Sequence, residues 1–91
     1  MKMHKKEFKN IATLLRYWRT KKNLRNVDIS NACNYNDHGH FCYSLEKQLY
    51  GLPPNKITQL AKSLEISEDL IINSMVQDYA SYLRKFAEVK K

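Results

Sequence analysis

Two cysteines and two histidines in the middle of the sequence have side chains that can bind a metal ion. Cys33, His38, His40 and Cys42 form the pattern C-x4-H-x-H-x-C. Zinc takes four such ligands in a tetrahedron, but compact zinc sites pair them as C-x2-C or H-x3-H. On a helix, two histidines two residues apart would also point about 200° apart. The spacing therefore predicts no metal site and no cofactor, and both cysteines are expected to be small core residues.

The sequence contains no strong catalytic motif. It has no glycine-rich phosphate-binding loop and no pair of carboxylates with the spacing of an acid–base site. Cys42 lies near His38 and His40, but a nucleophile and a base without a third, orienting group form a weak catalytic pattern. We therefore expect a binding protein and not an enzyme.

Positive charge is concentrated in the first quarter of the chain. Residues 1–25 contain nine lysines or arginines and one glutamate, whereas residues 26–91 contain seven basic and eight acidic residues. This distribution is typical of a chain that binds a polyanion such as nucleic acid. The alternative is a solubilising tail followed by a solvated helix face. Residues 1–6 have no hydrophobic periodicity and are expected to form a flexible basic arm.

The size and composition of the chain favour a single helical domain. Ninety-one residues suffice for one core, and two glycines and two prolines are too few for the many tight turns of an all-β fold. No apolar run is long enough to span a membrane, and no apolar stretch follows the basic start as it would in a signal peptide. We therefore expect a cytoplasmic protein with no membrane partner and with reduced cysteines.

Hydrophobic residues recur at helical spacing in five segments, which predicts a compact all-α bundle of five helices. The third helix has Phe41, Leu45 and Leu49 on one apolar stripe, and Trp18 lies on the stripe of the first. The expected helices run from about 7 to 21, 25 to 33, 38 to 49, 55 to 64 and 67 to 89. The residues expected to cap helix starts are Asn36 or Asp37, Asn55 and Ser67.

The second half of the sequence carries a family pattern. Residues 51–71, GLPPNKITQLAKSLEISEDLI, have a glycine, a proline shortly after it, and then Leu-Ala-x-x-Leu-x-Ile-x-x-Asp-x-Leu. Leu24 and Asn26 are similar to a Leu-Ser-Gln start of the second helix. In these features residues 14–72 resemble the helix-turn-helix domain of phage Cro and repressor proteins, the lambda-repressor-like or XRE-like family.

The chain departs from this family pattern in the second helix, in the turn and in the third helix. Ser30 stands where the family usually has alanine, and Asn34 stands where its tight turn usually has glycine. The interval from Asn34 to Gly51 is also longer than usual. Asp37 would repel phosphate, and no arginine is present in the first half of the third helix to pair with guanine.

The resemblance implies that residues 7–72 form a DNA-binding domain in which the third helix meets base edges and the start of the second helix meets phosphate. The positions that match the base contacts are His38, His40, Tyr43, Ser44 and Lys47, and those that match the phosphate contacts are Arg25 and Asn26. Further phosphate contacts are expected from cations of the arm and the first helix, namely Lys2, Lys5, Lys6, Arg16, Arg19 and Lys22.

The last helix carries a second apolar stripe, whose steps of four and three residues form a short heptad seam. Its members are Ile72, Val76, Tyr79, Leu83 and Phe86. The seam is too short for a stable coiled coil of its own. We expect residues 73–91 to form a C-terminal helical extension that holds two copies together as a homodimer. The alternative is that this helix packs on its own domain.

Together these expectations describe a sequence-specific regulator of transcription that binds duplex DNA. The simplest form is a repressor of phage, plasmid or bacterial origin that acts as a dimer on a palindromic operator. One alternative is a protein-interaction module on the same fold, such as an antitoxin or an inhibitor whose basic face meets an acidic protein surface. RNA binding is a third, weaker alternative.

Overall fold

The computed structural model describes residues 10–89, and the structural statements below concern that part of the chain. It contains five α-helices and no strand, so the expectation of a compact all-α bundle is confirmed. The helices are α1 Ile11–Lys21, α2 Asn26–Ala32, α3 His40–Glu46, α4 Ile57–Leu64 and α5 Glu68–Val89, and a 3-10 turn, Pro54–Lys56, precedes α4. The arm at residues 1–6 and the expected helical residues 7–9 lie outside the described range.

All five helices bury one face in a shared core. Cys33 and Cys42 belong to it, as predicted, and Trp18 packs partly buried against it. Burying one large aliphatic side chain stabilises a fold by about 1.5–3 kcal/mol, so this cluster is the main source of stability. Its fully buried hydrophobic members are Leu14, Leu15, Ile29, Cys33, Cys42, Leu45, Leu60, Leu64 and Ile71.

The first three helices end in the same left-handed turn, and none of them uses glycine there. Asn23, Asn34 and Gln48 have φ values of 59°, 69° and 61°. In each case the N–H of the next residue donates to the carbonyl five residues before it, at 2.9 Å, which is the Schellman arrangement. Asn34 therefore adopts the left-handed conformation that glycine commonly supplies at the end of a helix. The prediction that the third helix reaches Leu49 is wrong, because Gln48 turns the chain after Glu46.

The third helix also begins two residues later than predicted, at His40. His38 and Gly39 precede it with left-handed backbones, at φ values of 57° and 89°. Gly39 lies so close to α2 that a Cβ atom there would come within 2.9 Å of the Val27 nitrogen. The turn therefore requires glycine at this position for both its conformation and its space.

Two side chains satisfy N–H groups at the start of α3. The Asp37 carboxylate accepts hydrogen bonds from the N–H groups of Phe41 at 2.9 Å and Gly39 at 3.2 Å. Of the two residues expected to cap this helix, Asp37 thus supplies the hydrogen bonds. Buried Ser30, which stands where the family has alanine, accepts a hydrogen bond from the N–H of Cys42 at 3.1 Å. These bonds hold the start of α3 against α2.

Two further helix starts differ from the predictions, and one agrees with them. The first helix begins after Asn10, whose backbone is extended and whose side chain accepts a hydrogen bond from the N–H of Thr13 at 2.8 Å. Asn55 lies inside the 3-10 turn and does not cap α4. Ser67 does cap α5, since its Oγ accepts a hydrogen bond from the N–H of Asp69 at 3.0 Å.

Only the first part of α5 packs on the domain. Ile71 and Ser74 are buried, whereas every described side chain from Val76 to Ala87 except Ala80 is exposed. From Val76 to Ala87, the alternative that this helix packs on its own domain is therefore wrong. None of the helices in this range is long and apolar enough to span a lipid bilayer.

Candidate nucleic-acid interface

Three exposed side chains lie along the outer face of α3. They are His40, Tyr43 and Lys47, the last of which is the C-cap residue of α3. Steps of three and four residues separate them, which places them on one side of the helix. The rings of His40 and Tyr43 stack with their centroids 6.3 Å apart, and Lys47 Nζ lies 5.7 Å from the centre of the Tyr43 ring. This α3 strip offers an imidazole, a phenol and an ammonium group, all of which can form hydrogen bonds with base edges.

An open depression of about 400 Å³ lies at the start of the α3 strip. The turn after α2 brings the start of α2 and the start of α3 together at its rim. Predicted base contacts and a predicted phosphate contact therefore share one surface. The residues that line it are Asn26, Asp37, His38, Gly39, His40 and Tyr43.

Ser44 is not part of this surface, and the prediction that it contacts a base edge is wrong. Its side chain is 1% exposed, because position 44 faces the inside of the bundle. Its Oγ lies 3.2 Å from His40 Nε2, within hydrogen-bond distance. Ser44 therefore lies beneath the exposed His40 ring and helps to orient it.

A buried ion pair removes Arg19 from the predicted phosphate contacts. The Glu46 side chain is 6% exposed, and its carboxylate accepts hydrogen bonds from Nε and Nη2 of Arg19, the latter at 3.1 Å. Arg19 also donates to the Leu24 carbonyl at 3.2 Å. Its hydrogen bonds with Glu46 raise the pKa of Arg19 above its ordinary value. The prediction that Arg19 binds phosphate is wrong, because its guanidinium is directed at Glu46 and joins α1 to α3.

Other predicted phosphate contacts remain accessible to different degrees. The Arg16 side chain is 60% exposed, with Nε 3.7 Å from Glu46, whereas Lys22 Nζ lies 3.1 Å from a Glu65 carboxylate oxygen. Cations this close to the surface can exchange such a partner for a phosphate oxygen. Lys2, Lys5 and Lys6 were also predicted to bind phosphate and lie outside the described residues.

Arg25 precedes α2 and pairs with Asp28 one turn further on. Arg25 Nη2 donates to Asp28 Oδ1 at 3.1 Å, and the Arg25 N–H donates to the same carboxylate at 2.8 Å. The side-chain hydrogen bond raises the pKa of Arg25 and lowers the pKa of Asp28. Both groups lie at the surface, so the guanidinium can reach a phosphate beside Asn26.

Asp37 lies in the depression, where a free carboxylate would repel phosphate. Its oxygens accept two N–H groups at the start of α3, and these hydrogen bonds offset part of its negative charge. The acidic residue that departs from the family pattern is thus a structural cap. Its carboxylate is turned toward the backbone of α3.

The four residues of the C-x4-H-x-H-x-C pattern separate in the structure. Cys33 and Cys42 lie in the core, whereas His38 and His40 are exposed. Among residues 10–89, no three His, Cys, Asp or Glu side chains are grouped so that they could hold a metal ion. Burial raises the pKa of both thiols, and that of Cys42 reaches about 12.

Sequence reasoning missed Glu46, although one signal for it was present. Glu46 is one helical turn after buried Cys42 and adjacent to buried Leu45, so helical periodicity places it at the edge of the inner face. An acidic side chain there needs a basic partner from another helix. The two arginines of α1, Arg16 and Arg19, are the candidates that the sequence offers.

Comparison of the chain with protein-family models, with curated proteins and with solved structures found no match.

Proposed function

We propose that this chain is a sequence-specific duplex-DNA-binding protein of the helix-turn-helix type, with α2 and α3 as its DNA-facing helices. The observation that carries the proposal is the surface on which the α3 strip and Asn26 meet around one depression. An α-helix with its side chains is about 10–12 Å across, so α3 can enter a major groove about 12 Å wide with the α3 strip facing the bases. The simplest role for such a protein is a dimeric repressor of transcription.

Side-chain chemistry assigns base contacts to α3 and phosphate contacts to the start of α2. Lys47 can donate to the acceptor atoms of guanine, and His40 and Tyr43 can donate to or accept from other base edges. Arg25 and Asn26, at the start of α2, can hold phosphate oxygens and so set the position of α3 on the duplex. The basic first quarter of the chain adds binding free energy that does not depend on sequence.

Selection from a random duplex library tests the proposal. We expect enrichment of a palindromic motif with half-sites about 10 base pairs apart, centre to centre. Failure to enrich any duplex sequence at low salt would contradict the proposal.

Variants of the selected complex then separate base contacts from phosphate contacts. Lys47→Ala should change the preference among motif variants by about 1–3 kcal/mol, because it removes a base contact. Arg25→Ala should weaken binding to all variants alike, since phosphate carries no sequence information. Lys62→Ala is the matched control, because Lys62 is an exposed lysine on α4 that does not line the depression. Fluorescence anisotropy with labelled duplexes measures all three.

A second candidate function is the binding of an acidic protein surface. The clustering of basic residues in the first quarter of the chain favours this function as well. Such a partner would compete with DNA for the exposed cations of α1 but would not need the α3 strip. Loss of duplex selection together with retained binding of acidic polypeptides would favour this candidate.

A further inference from the structure

The second half of α5 carries an apolar face that no other described residue covers. Val76, Tyr79, Tyr82, Leu83 and Phe86 are between 47% and 63% exposed. The ring centroids of Tyr79 and Tyr82 lie 6.3 Å apart, and those of Tyr82 and Phe86 lie 5.0 Å apart. These five residues, called the α5 face below, therefore form one continuous surface. Contiguous exposed apolar surfaces of soluble proteins mark interaction sites.

We infer that the α5 face binds the same face of a second copy of the chain, with the two helices antiparallel. A fully enclosed aromatic side chain buries about 150–250 Å², so five half-exposed apolar side chains offer about 500 Å² per copy. Two copies would together bury about 1,000 Å², which is the lower limit for a specific protein interface. The inference rests on the dimer of the proposed function and specifies how that dimer is held together.

The order of side-chain sizes along the α5 face fits antiparallel pairing. When two antiparallel helices are centred on residue 81, Val76 of one copy lies opposite Phe86 of the other, and Tyr79 lies opposite Leu83. Each layer then combines an aliphatic with an aromatic side chain, which fills the space evenly. A parallel pair would place Val76 against Val76 and Phe86 against Phe86, which leaves one layer loose and crowds another.

The antiparallel arrangement also separates the two domains. About 13 residues at 1.5 Å each lie between Glu68 and the centre of the pair, so the two starts of α5 are about 40 Å apart along the helix axes. This separation is comparable with the 34–36 Å between DNA half-sites one helical turn apart.

Disulfide cross-linking of full-length chains tests the direction of the helices. V76C and F86C are prepared separately, mixed, allowed to exchange, and oxidised. A disulfide forms readily only where the two Cα atoms come within about 7 Å. We expect a species of twice the chain mass in the mixture and none in either protein alone. Y79C mixed with L83C tests the neighbouring layer in the same way, in case the loss of Phe86 weakens the dimer.

Two controls accompany the cross-linking. The unsubstituted chain should remain uncrosslinked, because Cys33 and Cys42 are buried. S81C should also remain uncrosslinked, since an exposed residue two positions from both Tyr79 and Leu83 lies on the far side of the helix.

Cross-linking of V76C alone or F86C alone would show parallel helices and overturn the inference. Absence of a covalent dimer from both mixtures would also overturn it. The measurement contains no DNA, so its outcome is separate from the proposed function. A cross-linked pair that selects no duplex would refute DNA binding and leave the antiparallel pair in place.

Discussion

Glu46 gives two neighbouring arginines of α1 different roles. Arg19 forms hydrogen bonds with the buried carboxylate, whereas Arg16 approaches the same carboxylate from the surface. Glu46 also accepts a long hydrogen bond from the Cys42 thiol at 3.6 Å. A carboxylate in this position is stabilising only while its guanidinium partner is present.

Arg19→Ala should lower the free energy of unfolding by about 3 kcal/mol, because it leaves a buried carboxylate without its main partner. Arg16→Ala is the matched control, and its effect should stay below about 1 kcal/mol, since exposed ion pairs contribute little. Urea denaturation followed by circular dichroism measures both values. Equal effects of the two substitutions would contradict the assignment of Arg19 to a buried pair.

Polar residues were harder to predict from the sequence than apolar ones. Helical spacing correctly placed Trp18, Phe41 and Leu45 on inner faces, because burial follows helical periodicity, whereas Leu49 of the same stripe is 60% exposed. Ser44 was assigned to DNA because its position matches a base contact in the family that residues 14–72 resemble, and Arg19 was assigned because it is a cation off the apolar stripe of the first helix. Their positions in the structure depend on His40 and Glu46, and the Arg19 partner lies on another helix, which no local pattern reveals.

The bounds of α3 depend on conformations that local propensity does not indicate. His38 and Gln48 flank the helix with left-handed backbones, although neither is glycine. The start of the helix is fixed instead by backbone N–H groups that donate to Asp37 and Ser30 and by the close approach of Gly39 to α2. The existence of α3 could therefore be predicted, whereas its length and its distance from α2 could not.

Gly39→Ala should lower the free energy of unfolding by about 2–3 kcal/mol, because a Cβ atom would strain the left-handed backbone and press on α2. Gly51→Ala is the matched control, since nothing lies within 4 Å of a Cβ atom there. Its effect should be smaller than about 1 kcal/mol in either direction. Thermal unfolding of both variants measures the difference. A Gly39→Ala variant as stable as the control would contradict the packing described for the turn.

The molecule as a whole presents two unlike surfaces, one polar and basic and one apolar. The α3 strip and the depression beside it form the polar surface, and the α5 face forms the apolar one. The charge asymmetry and the heptad seam were both visible in the sequence. Whether the seam packs on its own domain is decided by the direction in which α5 leaves the bundle, and the sequence does not encode that direction locally.

Leu83→Lys should reduce dimerisation and weaken operator binding by at least about tenfold without unfolding the chain, because Leu83 is exposed and central in the α5 face. Ser81→Lys adds the same charge on the far side of α5 and should leave both properties unchanged. Sedimentation equilibrium reports the dimer, and circular dichroism reports the fold. A monomeric Leu83→Lys variant that binds its operator as tightly as the unsubstituted chain would contradict the dimeric mode of binding.

The salt dependence of duplex binding tests the central claim most directly. If each copy neutralises about four phosphates, the logarithm of the association constant of the dimer should fall with the logarithm of salt concentration at a slope near −7. Fluorescence anisotropy titrations of the selected duplex at several salt concentrations give this slope. A slope near −7, with a scrambled duplex bound more weakly throughout, is the predicted result. A flat response to salt, or equal binding of both duplexes, would contradict the account.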